Sequence, residues 1–241
     1  ASSATTVLGQ GTADQVLTSD GTDISWEDAS GGGVTGLTGL VENESIWLGA
    51  DPSGTTDTAW KCVALGNYAL SAVTTGDFNT ATGYSALSAN TTGFGNTSFG
   101  YGALMQSVDG EYNTAVGYGA LSTTLNDGNY NTAVGYYALG AGDVSGADNT
   151  GIGKTAGYSL TTGAGNTLVG NTAGYGVTTG GSNTIIGQAA YYLGTSSNNV
   201  MIGSMCCESG ANGNGKMVMI GATCGRGSGG AAEACTGVGH S

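Results

Sequence analysis

Twelve glycines mark regular intervals along this chain. They stand at positions 49, 66, 83, 100, 117, 135, 153, 170, 187, 203, 221 and 239, and every interval is 16, 17 or 18 residues. A fixed interval of that size marks a repeat architecture in which each unit stacks on the next. Seven copies carry a full Asn-Thr-x-x-Gly signature, from residues 79–83 to residues 183–187. Degenerate copies at 45–49, 62–66, 199–203, 217–221 and 235–239 extend the pattern both ways. Gly supplies 48 of the 241 residues and Pro only one. Glycine this frequent, without collagen's every-third spacing, implies many tight turns. Helices are excluded because Gly and β-branched residues dominate every unit.

Position by position, the repeat reads as one coil of an all-β, parallel β-solenoid (a β-roll) of about twelve coils. The residue before the repeat glycine is aliphatic or aromatic in most copies, and Thr or Val stands two residues earlier. Strand alternation puts these two on one face, expected to be the core. The variable position between them (Trp47, Ala81, Leu168, Ile185, Met201, Met219) is then expected to face outward. Three residues after the glycine stands a uniformly small residue, Ala69, Ala86 and Ala103 among others, with Cys206 and Cys224 in later copies. Such smallness predicts a crowded interior. The Asn is expected in a turn, where it tolerates left-handed backbone, with the option of bonding to its neighbours along the axis. Thr-Thr-Gly, as at 91–93 and 161–163, reads as a second turn, giving two short strands and two turns per coil.

Stacking at about 4.8 Å per coil gives a rod on the order of 50 Å long. A coil this short encloses little, and so thin a core is marginal alone. The larger apolar residues at the middle position therefore call for another buried face. A homotrimer is the expected resolution.

The chain divides into a small module at 1–30, a Gly-rich linker at 31–44 and the repeat domain at 45–241. In the first, a β-hairpin pivoting on Ser19, Asp20 and Gly21 is expected, with Trp26 as its apolar anchor. The formal charge is −13, from 17 acidic residues against Lys61, Lys154, Lys216 and Arg226. A field of that sign repels phosphate, so nucleic acid is an unfavourable partner. No apolar run reaches membrane-spanning length, so no membrane insertion is expected. The last coil stops soon after Gly239 without completing its turn. Such an end exposes strand edges and is expected to be covered.

The chain offers little raw material for catalysis. The only His is His240, which leaves no His-based triad within the repeats. Gly151, Gly153, Lys154 and Thr155 echo the end of a phosphate loop, but Asp148 occupies the slot of its first glycine and no helix follows. Acidic residues do not recur once per coil, and no Cys-x-x-Cys pair exists, which argues against calcium and zinc. No enzyme activity, catalytic residue, metal or cofactor is expected. An ice-binding plane is disfavoured because the Thr beside Asn gives way to Val or Ile at both ends, a substitution that suits an inward position.

Two groups of residues remain as candidate sites. Tyr84, Tyr101, Tyr118 and Tyr136 share the slot after the repeat glycine and should form a ladder. One reading is cross-strand packing on a solvated or chain-facing surface. The other is a surface binding stripe for sugars, to which aromatic faces and hydroxyls are suited. Cys206 and Cys224 hold the same slot in consecutive coils, within disulfide reach; burial as two small residues is the alternative.

The units Asn113 to Gly117 and Asn131 to Gly135, each followed by Tyr, resemble the Asn-Thr-Ala-Val-Gly-Tyr repeats of phage and viral tail fibres. They are also similar to coils in the head domains of trimeric autotransporter adhesins. The stretch from Gly9 to Gly21, ending at Trp26, resembles a short module of phage fibres. The resemblance implies a left-handed roll, three chains around one axis, and an extracellular place on a virion as a tail or capsid fibre. The implied function is structural or receptor-binding: a fibre for host attachment. Its partners would be itself, a host-surface glycan or protein, and other virion components through the N-terminal segment. The alternatives are a subunit of a self-assembling extracellular filament and a bacterial trimeric surface adhesin.

Overall fold

The structure is a computed structural model that describes residues 44–49, 58–123, 128–190, 195–206 and 217–222 in full, with the strand backbone at 15–19, 24–28, 39–42, 193–194 and 236–238. The fold is an all-β solenoid. One sheet of 13 strands runs from Gly39–Glu42 to Thr236–Val238, and a short strand precedes each repeat glycine. Every pairing after the first is parallel and in strict register: Thr97 lies opposite Thr114, Ser98 opposite Ala115 and Phe99 opposite Val116. Gly39–Glu42 pairs antiparallel with Ser45–Gly49 and forms one edge. A separate hairpin joins Gln15–Ser19 to Ile24–Asp28, with Leu17 opposite Trp26. Its turn, with Asp20 and Gly21, lies outside the described residues.

The faces of the strand are reversed relative to the sequence expectation. The middle residue is the buried one: Ala81, Ser98, Ala115, Ala133, Leu168, Ile185 and Met201 are all fully enclosed. Its neighbours on either side face outward, as at Thr97 and Phe99, both exposed. The reason lies in what the coil must hold. The small residue after the glycine is fully buried, as at Ala86, Ala103 and Ala120. Immediately after it, Leu70, Leu87, Leu104, Leu121 and Leu139 also point inward and are buried. Those leucines fill the narrow interior, leaving room only for Ala, Ser or Gly on the strand.

Farther along, the large residue changes sides. Gly157 and Gly174 replace the inward Leu, while Leu168 and Ile185 replace the small strand residue. The coil between has glycine at both slots, and the interior there is filled from either side. A Cβ on Gly151 would lie 2.8 Å from Leu139 Cγ, and one on Gly157 would lie 2.5 Å from both Leu139 Cδ2 and Leu168 Cδ1. Core volume is thus conserved along the axis while its source moves, as close packing requires.

Among the described residues, only one further pairing between coils outside the main sheet is regular, Gly176–Val177 with Leu193–Gly194. The expected second strand per coil is otherwise replaced by turns, which still hydrogen-bond from coil to coil, as Leu87 N does to Ala103 O at 3.0 Å. The repeat glycine is fixed by geometry. At Gly117 φ is 132°, and a Cβ would sit 2.5 Å from the carbonyl oxygen of Gly135 in the next coil. Only a residue without Cβ adopts that backbone and permits that approach.

The asparagines form a buried ladder and do not take the left-handed positions themselves. Asn79 Oδ1 accepts from Asn96 N at 2.9 Å and from Asn96 Nδ2 at 3.1 Å. The main-chain link repeats up the axis, through Asn131 N to Asn113 Oδ1 and Asn149 N to Asn131 Oδ1, and ends with Met217 N on Asn199 Oδ1 at 3.1 Å. From Asn79 to Asn183 each amide also tethers the opposite turn, as Asn113 Nδ2 does to Gly128 O at 2.8 Å. The left-handed residue is the one before, with φ of 58° at Phe78, 54° at Tyr112, 59° at Tyr130 and 60° at Asp148. Ser45 and Cys62 take the ladder position at the first coils. There Cys62 N donates to Ser45 Oγ at 2.8 Å, and Cys62 Sγ lies 3.3 Å from Gly76 O.

Candidate interaction surface

With the strand facing this way, residues at alternate positions build an outward face. Within one coil these are Tyr112, Thr114, Val116 and Tyr118; across coils they become four columns. The second column is mainly Thr, with Val63, Val200 and Val218 among its other members, and the third runs through Leu65, Thr82, Phe99, Val116, Val134, Ile152, Val169, Ile186, Ile202 and Ile220. Phe99 is 59% exposed and Ile152 40%, although both are β-sheet residues of high apolar content. From Phe99 to Ile220 the column is an unbroken apolar strip, exposed or half-buried, and a strip of this length marks an interaction surface.

The outer columns change character along the axis. After the glycine come Tyr84, Tyr101, Tyr118 and Tyr136, the ladder expected from the sequence, and then Lys154, Asn171 and Gln188. The structure stacks those tyrosines: ring centroids are 5.2 Å apart for Tyr84 and Tyr101, 4.9 Å for Tyr101 and Tyr118, and 5.5 Å for Tyr118 and Tyr136, with the ring planes nearly parallel. Such stacking turns the ring faces toward one another. A sugar meeting this ladder would find ring edges and hydroxyls. Tyr137 closes its upper end, edge-on to Tyr136 at 4.8 Å, and burial followed by the neighbouring Tyr118 raises its phenol pKa.

Sequence reasoning missed the opposite column. Phe78, Tyr112 and Tyr130 stand before the ladder Asn, with Tyr112 and Tyr130 stacked at 5.2 Å and Phe94 edge-on to Tyr112 at 4.7 Å. Strand alternation carried two residues back from Thr would have found them. Beyond Tyr130 this column becomes Asp148, Gly165, Ser182 and Asn198. Near the start, Lys61 lies 4.0 Å over the Trp60 ring and 3.8 Å from Glu44.

Cys206 is buried, its Sγ 3.7 Å from Met219 O. Cys224 lies outside the described residues, as does the pairing expected between the two. The Thr column faces outward, so the sequence argument against an ice-binding plane, which took Thr to be inward, does not hold. Among the described residues no three His, Cys, Asp or Glu side chains come together as metal ligands. No family model, curated protein or solved structure matches this chain.

Proposed function

We propose that this chain is the shaft or receptor-binding segment of a virus or phage fibre, in which three solenoids join along the outward face of the sheet. The observation that carries this reading is the apolar third column, from Phe99 to Ile220, left wholly or partly open to solvent by an isolated chain. Isoleucine, valine and phenylalanine on one face of a strand are stabilising when covered, at about 25 cal/mol per Å² removed from water. A thin coil gains the most from such cover. The role is mechanical and adhesive, with no chemical step. Three copies of each surface ladder would repeat weak contacts to a host surface, so avidity supplies the affinity.

Mass measurement of the intact chain in solution by sedimentation or light scattering tests the reading. A discrete species of three chain masses is expected. A monomer at micromolar concentration overturns it, and open-ended polymers favour the filament instead. For attachment, binding of labelled protein to host cells should fall when Tyr101 and Tyr118 are both replaced by Ser; unchanged binding removes that ladder from the receptor contact.

A further inference from the structure

We propose that the two outer columns of the sheet face are the seams between copies of this chain, and that Asp148 of one copy pairs with Lys154 of the next. The inference rests on the self-association just proposed and specifies how it is registered. In any ring of parallel solenoids around a common axis, equal coils lie side by side. The column before the Asn of one chain then meets the column after the glycine of its neighbour.

In several coils the two columns match in kind. Tyr130 stands across the face from Tyr136, Asp148 from Lys154, and Ser182 from Gln188. Aromatic meets aromatic, acid meets base, and neutral polar meets neutral polar. The charged pair is the most telling. Lys154 is the only basic residue between positions 62 and 215 of an acidic chain, and it falls in the same coil as Asp148. Both are exposed. Neither has a charge beside it on its own column, where Lys154 lies between Tyr136 and Asn171, and Asp148 between Tyr130 and Gly165. Within one chain they are six residues apart across the sheet, up to about 20 Å at the rise of a strand, too far to pair. A neighbouring copy brings them together. A slip by one coil would set Asp148 or Lys154 against a neutral side chain, so the pair selects the register while the apolar strip supplies the cohesion.

Charge reversal tests this on the full chain. Asp148→Lys is compatible with the local backbone, since Lys61 holds the same column at φ 54°. Each of Asp148→Lys and Lys154→Asp should lower the dissociation temperature of the trimer by several degrees, and the double reversal should restore it. The two single variants, co-expressed, should form mixed trimers in excess of the statistical proportion. Circular dichroism of each variant confirms that the coils still form. If the unaltered chain is trimeric but the single reversals leave dissociation unchanged, or their effects simply add in the double, the seam is wrong and the trimer stands. If the unaltered chain is monomeric, both the trimer and the seam fall.

Discussion

Leu168 fills the space that a side chain on Gly157 would need: a Cβ there would lie 2.5 Å from Leu168 Cδ1. These two positions are alternative sources of the same core volume, since the earlier coils place Leu in the slot of Gly157 and Ala or Ser in the slot of Leu168. Leu168→Ala should cost about 2–5 kcal/mol, and Gly157→Leu about 1–3 kcal/mol from overpacking. Together they should recover part of the loss, with a coupling of about 0.5–3 kcal/mol. Left-handed backbone is no obstacle, because Leu139 holds the corresponding slot at φ 50°. Denaturant unfolding of the four proteins measures the coupling.

Glycines within one coil should differ sharply in tolerance. Gly117→Ala meets a backbone oxygen at 2.5 Å at a φ of 132°, whereas Gly102→Ala at φ 61° meets nothing nearer than Met105 Sδ at 3.7 Å. The second should cost about 1–2 kcal/mol, the ordinary penalty of left-handed backbone. The first combines a glycine-only conformation with a clash against the next coil, and should prevent the coil from closing. Thermal melts of the two variants give the contrast directly.

Asn113→Ala removes the acceptor of Asn131 N and the donor to Gly128 O, both at 2.8 Å and buried. Each group left without a partner costs about 1–3 kcal/mol, so a loss of about 2–6 kcal/mol is expected for the two. Asn113→Leu, similar in bulk, should not rescue it. Equal stability of either variant and the parent, in equilibrium unfolding, would mean that the ladder contributes little.

Burial pushes the Cys62 thiol above the usual thiol range, against the opposing effect of the Asn79 backbone contact. A raised folded pKa means that the native state holds its proton more tightly than the unfolded one. That contribution is complete below the unfolded value of about 8.5 and is lost as pH rises through the folded value. Stability should therefore decline above about pH 8.5, and less so in Cys62→Ala. Iodoacetamide should label the Cys62 peptide only as the chain unfolds; rapid labelling of native protein would contradict this burial.

Ile186 is outward on the apolar column, 37% exposed and without a structural role inside the coil. Ile186→Lys should leave the monomer fold within about 0.5 kcal/mol, as a surface change does, yet break the proposed trimer. Sedimentation and circular dichroism together separate assembly from folding.

Much of this is legible in the sequence. The glycine interval predicts the stacked coil, and the uniform Ala before Leu87 and Leu104 predicts an interior row; both are present. Bulk is a poor sign of burial in this repeat and points to the wrong face of the strand. Smallness was the better sign, and Ala81, Ala115 and Ala133 carried it as openly as Ala86 did. The aromatic column at Phe78, Tyr112 and Tyr130 went unseen for the same reason, since its outward direction depends on that facing.

The sequence by itself determined the period, the parallel stacking and the place where only glycine fits, because each is imposed by the backbone and repeats in every unit. Which side of the strand is the core was decided only by tertiary structure. Alternation supplies two faces but does not rank them. The ranking comes from across the coil, where the leucines after the glycine already fill the interior and the Asn amides reach the opposite turn. Those contacts leave Thr and Val facing outward, available to another copy of the chain.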